Sequence, residues 1–254
     1  MARIAVFDSG LGSLSIIKPI RKISKSEIIY FADQQNFPYG NKSQAQLSKI
    51  IQKSIKFLDI KFSPDIIVVA SNTPSLMLDI SSNRIIDVKP PLNEAIKKSK
   101  TKHIGILATK SVINSKGLTQ YIKQNNFSKN FKIFKINGSE LVELVESGKF
   151  ISNKKYCQKI IKKNLDEIVS KNNIDTVTLS STHLPFLNSL LKKQYPKISF
   201  LDPADIVAEK VFLKIKNKQC KRNSLKIFAS GNLEIFQTKL NKLKINNKVI
   251  FLSS

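Results

Sequence analysis

Two stretches of the sequence, 66–75 and 176–185, end in small polar side chains that directly follow a run of β-branched and apolar residues. The polar residues are Ser71, Asn72 and Thr73 in the first stretch and Ser181, Thr182 and His183 in the second. Each pattern predicts a buried strand followed by a turn, and a proline then prevents further regular pairing. Functional side chains of α/β sheets gather at the carboxyl ends of strands. We therefore predict that the two tips face one small molecule.

Asp8 and Ser9 follow the first predicted strand, and Gly10 permits a tight turn there. Ser9 offers a hydroxyl and a backbone donor to a carboxylate. A carboxylate at Asp8 and an imidazole at His183, flanking two opposed groups, indicate symmetric proton transfer. For each tip taken alone, helix capping by serine or threonine and a purely structural histidine stay open alternatives.

The segment Gly10-Leu11-Gly12-Ser13-Leu14-Ser15 allows a second interpretation, because it resembles a dinucleotide-binding fingerprint. Asp33 follows about 20 residues later, where such proteins hold the ribose with an acidic residue. The third glycine is missing, however, and Asp8 would place a negative charge close to the pyrophosphate. Dinucleotide binding is therefore the weaker hypothesis.

Strands alternate with helices in two successive passes, each of which runs strand, helix, strand, helix, strand with polar tip, helix, strand ending in aspartate. This order predicts an α/β fold with two pseudo-symmetric domains, parallel sheets flanked by helices, and an active site in the inter-domain cleft. We expect residues 1–96 and 207–254 to form the first domain, with the C-terminal tail returning to it, and residues 97–206 to form the second.

The composition is strongly basic, with a net charge of +25 over 254 residues. The lysines are spread along the chain without an arginine cluster, which favours a solvated surface over nucleic-acid binding, although a polyanion surface stays open. The sequence contains neither a bilayer-spanning apolar run nor a signal-peptide layout. Cys157 and Cys220 lack metal-ligand spacing, and we expect two free thiols in a reducing cytoplasm.

Several motifs occur in the order seen in the glutamate racemases, within the aspartate/glutamate racemase family. The chain resembles that family at Phe7 to Gly10, Pro38 to Gly40, Ala70 to Thr73 and Ser180 to Pro185. Weaker matches are Gly105 to Thr109, Leu141 to Glu146 and Ser230-Gly231. The matches run nearly from end to end.

The resemblance implies racemisation of L-glutamate to D-glutamate by two-base proton transfer, which supplies peptidoglycan synthesis in bacteria. It implies no pyridoxal phosphate, no metal and no other cofactor, a small acidic amino acid as the partner, and no membrane; it leaves a homodimer open. The implied catalytic residues are Ser71 with Asp8 and Ser181 with His183. The implied substrate-binding residues are Asp8, Ser9, Tyr39, Gly40, Asn72, Thr73, Thr182 and His183.

The chain departs from the family at both catalytic positions, because Ser71 and Ser181 stand where the family has cysteine. A serine hydroxyl is a far weaker acid than a thiol, so we expect weak or absent activity. Either the serines were introduced to trap a substrate complex, or the chain is a divergent natural member. A silent racemase-fold protein that binds or senses acidic amino acids is the alternative function, and aspartate is an alternative substrate.

Overall fold

Strands and helices alternate throughout the computed structural model, which describes residues 2–125 and 130–253. The described strands are β1 Arg3–Asp8, β2 Glu27–Ala32, β3 Ile66–Val69, β4 Ile85–Asp87, β5 His103–Ala108, β6 Lys132–Asn137, β7 Thr176–Leu179, β8 Ser199–Leu201, β9 Ser224–Ala229 and β10 Val249–Phe251. The described α-helices are α1 Ser13–Ile23, α2 Gln44–Phe62, α3 Asn72–Met77, α4 Leu92–Lys98, α5 Lys110–Ile113, α6 Lys116–Gln124, α7 Ser139–Glu146, α8 Lys149–Ser152, α9 Lys154–Asn172, α10 Asn188–Gln194, α11 Ala204–Ile215 and α12 Leu233–Lys242. Short 3-10 helices cover Gln34–Asn36, Tyr39–Asn41, Leu184–Leu187 and Lys216–Lys218.

The chain divides into two compact units, one formed by the residues up to Val88 with those from Ala204 onward, the other by Lys89–Pro203. The boundaries expected from the sequence, after residues 96 and 206, lie a few residues further along the chain. The difference arises because α4 packs on β7 and β8 of the second unit, whereas α11 packs on α1 and β4 of the first.

The first unit contains a sheet in the order β10-β9-β2-β1-β3-β4, and every pair in it is parallel. Strands of a parallel sheet are covered on both faces, which explains why β3 is an uninterrupted apolar run with all residues buried. Phe7, Phe31 and Val69 belong to its core together with Leu47 and Leu58 of α2. The C-terminal strands β9 and β10 extend this sheet beyond β2.

The second unit contains a four-stranded parallel sheet in the order β6-β5-β7-β8. Its strands follow the same order as β2, β1, β3 and β4 of the first unit. The core of the second unit packs Leu107, Val177 and Leu179 of the sheet against Ile161 and Leu165 of α9.

Parallel pairing brings the polar segments of the first unit to the same edge of its sheet. The register sets Asp8 opposite Ala32 and Phe7 opposite Val69. Just beyond the strands, the amide of Asp33 donates to Asp8 O at 2.8 Å and the amide of Ala70 donates to Phe7 O at 2.8 Å. The residues after β1, β2 and β3 are therefore neighbours, although the sequence separates them widely.

Within the described residues, no helix has the length and apolar character needed to cross a membrane.

Candidate active site

Asp8 lies at the end of β1 with its carboxylate turned onto the following loop. Its oxygens accept hydrogen bonds from the amides of Gly10 at 3.1 Å and Ser13 at 2.9 Å, the latter being the first residue of α1. The hydroxyl of Tyr30 donates to Gly10 O at 2.5 Å from the neighbouring strand β2. Asp8 and Ser9 are both buried. The loop that carries Ser9 is thus fixed by side chains from two strands.

The same contacts weigh against the dinucleotide interpretation. A pyrophosphate bound at the start of α1 would need the free amide groups of the glycine-rich turn. The Asp8 carboxylate already occupies the amides of Gly10 and Ser13, and its charge would repel a phosphate. The turn after β1 therefore presents a carboxylate and a serine where a dinucleotide would need vacant donors.

Ser71 and Asn72 stand where β3 passes into α3. Ser71 is half-buried and its hydroxyl makes no capping bond to α3, so helix capping does not explain this serine. The side-chain amide of Asn72 donates to Val88 O at 2.9 Å, while its carbonyl oxygen, although buried, receives no hydrogen bond from the described residues. Thr73 is also buried. The Asn72 oxygen is therefore an acceptor that a bound ammonium group would satisfy.

Ser75 fixes the backbone of this tip. Its hydroxyl donates to Ser71 O at 2.7 Å and accepts from the amide of Val88 at 3.0 Å. Because Val88 O also holds Asn72, the end of β4 supports both residues. The orientation of the first polar tip is thus set within its own unit.

Tyr39 and Gly40 lie in the short 3-10 helix Tyr39–Asn41. The ring of Tyr39 is buried, and its hydroxyl donates to Asp33 Oδ2 at 3.0 Å. Burial, together with the nearby charge of Asp33, raises the pKa of Tyr39 well above its usual range. Tyr39 therefore remains a neutral donor, while Gly40 is half-buried beside it.

The second polar tip is more enclosed than the first. Ser181, Thr182 and His183 are all buried, and the backbone amide of His183 lies 3.5 Å from Ser181 Oγ. The adjacent Ser180 has a different role, since its hydroxyl shares a 2.9 Å hydrogen bond with that of Thr178. Ser180 is therefore committed to Thr178, and Ser181 and Thr182 are the hydroxyl residues of this tip that a ligand could use.

Glu146 is a candidate site residue that the sequence analysis did not identify. A 2.6 Å hydrogen bond joins its Oε1 to Nε2 of His183, and the side chains are 13% and 10% exposed. A half-buried carboxylate that is hydrogen-bonded to an imidazole fixes the orientation of the ring and favours its protonated form. The only signal was the weak motif Leu141 to Glu146, whose last residue ends α7.

The structure thus gathers the predicted residues within each unit. Asp8 ends β1 and Ser9 follows it, while Ser71, Asn72 and Thr73 lie just beyond the adjacent strand β3. Asp33 links Tyr39 to the end of β2. The second unit brings Ser181, Thr182 and His183 together with Glu146. Among residues 2–125 and 130–253, no three His, Cys, Asp or Glu side chains cluster in a way that could hold a metal ion.

Relatives of known identity share both the sequence and the fold. No protein-family model matches the chain. A glutamate racemase from Persephonella marina (strain DSM 14350 / EX-H1) is 31% identical over 242 residues, which span 92% of this chain and 87% of that protein.

Solved structures extend the similarity to the fold. Glutamate racemase isoform RacE1 from Bacillus anthracis is 25% identical, with a TM-score of 0.84 and coverage of 99% of this chain and 97% of that one. Glutamate racemase from Aquifex pyrophilus is 27% identical, with a TM-score of 0.72 and coverage of 98% of each chain. The predicted α/β class with two parallel sheets is confirmed. On this identity and coverage, the chain belongs to the glutamate racemase family.

Proposed function

We propose that this protein racemises glutamate, without a cofactor, by removing the α-proton on one face and returning a proton on the other. The product would be D-glutamate for peptidoglycan synthesis. The observation that carries the proposal is the hydrogen bond from Glu146 to the buried His183 next to Ser181, because this pair places a proton-exchanging group at a racemase motif. Membership of the family supports the choice of glutamate.

Each unit would contribute one proton-transfer group to this reaction. In the first unit, Ser71 is the group and Asp8 assists it. In the second unit, Ser181 is the group, and His183 assists it from the orientation that Glu146 imposes. Racemisation requires one base and one acid, and the direction of the reaction exchanges their roles.

The remaining predicted residues would hold the substrate. Asn72 offers its buried, unsatisfied carbonyl oxygen to the ammonium group. The hydroxyls of Ser9, Thr73 and Thr182 can donate to carboxylates. Tyr39 commits its hydroxyl to Asp33, so its own contribution and that of Gly40 would come from the backbone of the 3-10 helix.

Serine at both proton-transfer positions limits the expected rate. A cysteine thiol has a pKa of about 8.5, whereas a serine hydroxyl is many units less acidic. Each unit of additional deprotonation cost is worth about 1.36 kcal/mol, or tenfold in rate. An imidazole is the side chain best suited to proton exchange at neutral pH, so His183 is the residue of the second tip that can best assist Ser181.

Binding and proton exchange test the proposal separately. Calorimetry with L-glutamate, D-glutamate and both enantiomers of aspartate measures the substrate preference, and we expect glutamate to bind more tightly than aspartate. Exchange of the α-proton in deuterium oxide, followed by NMR, measures chemistry. Absence of binding for all four ligands at millimolar concentration would remove the substrate assignment.

A second candidate function, a binder or regulator that senses acidic amino acids, is favoured by one observation. Both catalytic cysteine positions are serine, while Cys157 and Cys220 are retained elsewhere in the chain. This candidate predicts glutamate binding with no α-proton exchange by the protein. The two measurements above distinguish it from the enzyme.

The proposal also covers the cellular location, the ligand and the assembly of the protein. We place it in the cytoplasm, as its two free thiols predict, and take a small acidic amino acid as its ligand. A homodimer stays open as the assembly. Light scattering on the purified protein, with and without glutamate, measures that assembly.

A further inference from the structure

Asp33 is a buried carboxyl group with no assigned part in the proposed proton transfer. It follows β2 directly and has no exposed surface. Its Oδ2 accepts from the Tyr39 hydroxyl at 3.0 Å, and both its oxygens lie 2.9 Å from the side-chain amide of Asn36. A third donor, the hydroxyl of Ser230, lies 3.4 Å from Oδ1. One carboxyl group therefore gathers donors from two segments of the chain.

Ser230 brings the C-terminal part of the chain into this network. It follows β9, and its amide donates to Ala32 O at 3.1 Å. Its hydroxyl also accepts from the amide of Gln35 at 3.1 Å. At the next residue, a Cβ on Gly231 would lie 2.7 Å from the side chain of Gln34, so only glycine allows this close approach. The segment after β2 is thus held by β9 as well as by Asp33.

The burial and the charges around Asp33 favour one fixed position of the Tyr39 side chain. Burial raises the pKa of Asp33, whereas the hydrogen bonds from Asn36, Tyr39 and Ser230 and the charge of Lys53 oppose that rise. A buried carboxylate that lost these donors would bear its desolvation cost without compensation. Tyr39 stays a neutral donor because its own pKa is raised well above the usual range. Displacing Tyr39 would therefore be costly for both groups.

We propose that Asp33 is a positioning residue for the active site. Asp33 holds Tyr39 and Gly40 in place beside Asp8 and links them, through Ser230, to the end of β9. Asp33 is completely buried, so it acts through Tyr39 and does not touch the substrate. The amide of Asp33 donates to Asp8 O at 2.8 Å, which sets the anchor directly next to the first polar tip. The effect on glutamate rests on the proposed function, whereas the anchoring of residues 34–42 does not.

Three variants test this role in the full-length protein. Asp33→Asn keeps the size of the side chain but removes its charge. Ser230→Ala removes the hydroxyl contacts to Asp33 and to the amide of Gln35, and Tyr39→Phe removes only the hydroxyl. The matched control is Asp65→Asn, because Asp65 accepts from the amide of Arg3 at 2.9 Å and from Lys218 at 2.8 Å at the opposite end of the same sheet. Hydrogen exchange of residues 34–42, calorimetry with glutamate and thermal unfolding are measured for each.

We expect faster hydrogen exchange in residues 34–42 for Asp33→Asn and Tyr39→Phe, with glutamate affinity lowered about tenfold, as the loss of one charge-assisted hydrogen bond implies. Ser230→Ala should shift both readouts in the same direction by less. Asp65→Asn should lower the melting temperature without changing either readout. If Asp33→Asn does not fold, Ser230→Ala and Tyr39→Phe decide the question.

Two results would overturn the proposal. One is unchanged exchange of residues 34–42 in the folded variants, which would show that Asp33 does not anchor them. The other is faster exchange with unchanged glutamate affinity, which would show that the anchored segment does not serve the site. If the unmodified protein binds no glutamate, the proposed function fails, and hydrogen exchange alone then decides whether Asp33 anchors the segment.

Discussion

Ser71 and Ser181 differ in the support that their surroundings give them. Beside Ser181, the buried His183 pairs with the half-buried Glu146, which fixes the orientation of an imidazole that could exchange a proton. Beside Ser71, the nearest predicted assistant is Asp8, whose carboxylate already receives two backbone amides. Hydrogen bonds to a carboxylate stabilise its charged form and weaken it as a base. We therefore expect the second tip to retain more proton-transfer ability than the first.

Substitution of Glu146 tests this difference at a single residue. Glu146→Gln keeps a hydrogen-bonding partner for His183 but removes the charge that stabilises the imidazolium. We expect α-proton exchange to fall about tenfold to a hundredfold, because a hydrogen bond to a charged group is worth about 1.5–3 kcal/mol. NMR in deuterium oxide measures the exchange, with glutamate affinity changing much less.

Glu140→Gln is the control for that substitution. Glu140 lies on the same helix, α7, and pairs with Lys163 at 2.7 Å on the exposed surface. Its loss should leave proton exchange unchanged. An equal fall in exchange for both variants would show that the effect comes from the helix and not from His183.

At the scale of elements, Glu27 joins three strands at the edge opposite the polar tips. Its carboxylate pairs with Arg3 of β1 at 2.7 Å and with Lys226 of β9 at 2.8 Å. The hydrogen bond from Lys226 is the main reason why the pKa of Glu27 lies below its usual value, with Arg3 adding to the effect against the opposing influence of burial. This carboxylate therefore ties the C-terminal strand to the first pair of strands.

The lowered pKa makes the contribution of Glu27 depend on pH. A carboxylate with a depressed folded-state pKa stabilises the fold above its unfolded-state value, near 4.5, and loses that stabilisation as pH falls through the folded-state value. We expect Glu27→Gln to lower the free energy of unfolding by about 1 kcal/mol at pH 7. The difference from the unmodified protein should disappear towards pH 3, as measured by urea unfolding. The control is Glu167→Gln, which should leave the free energy of unfolding unchanged, because the pair of Glu167 with Lys171 is exposed to solvent. If the destabilisation by Glu27→Gln grew at acidic pH, the charged Glu27 carboxylate would not be the stabilising group.

The first turn of α2 provides a second test at this scale. Ser43 Oγ accepts from the amide of Gln46 at 3.2 Å, and the Gln46 side chain accepts from the amide of Ser43 at 3.0 Å. Ser43→Ala should cost about 1 kcal/mol of stability, because it removes this cap. Ser43→Asp retains an acceptor and should cost much less. Equal losses in urea unfolding would show that the cap does not stabilise α2.

The elements that carry the polar tips could be predicted because their signals are local. The apolar runs before Ser71 and Ser181 predicted β3 and β7, and the parallel sheets followed from the alternation of strands and helices. The pairing of Glu146 with His183 could not be predicted, because the two residues are far apart in sequence and neither local pattern requires the other. Asp33 was noted only as a ribose ligand, since its partner Ser230 comes from a distant strand.

Domain boundaries depend on packing across the whole molecule and were harder to predict. The end of the first domain was expected after residue 96, where a lysine-rich helix end precedes the next predicted strand. Instead, α4 already packs on β7 and β8, so the unit begins at Lys89. Helical spacing identifies an amphipathic helix but does not say which sheet its apolar face covers.

The net charge of +25 is a property of the whole molecule, and nucleic-acid binding tests what it means. If the lysines form a solvated surface, DNA and RNA should be retained equally at low salt, and both should be released at physiological salt. Gel-shift series at two salt concentrations, with heparin as a competing polyanion, measure this. Retention of one nucleic acid at physiological salt, against heparin, would contradict the prediction and indicate a specific partner.

Restoring the thiols is the measurement on which the proposed racemisation depends. The double variant Ser71→Cys with Ser181→Cys should racemise glutamate at least about a hundredfold faster than the sequence as it stands, because each thiol is several pKa units more acidic than the hydroxyl it replaces. Each single variant should gain less. Ser180→Cys is the control, since it adds a thiol one residue away from the proposed position. Circular dichroism measures the loss of optical activity of glutamate. If the double variant is no faster than the serine form, the racemase mechanism is contradicted and the chain shares only the fold of the racemases.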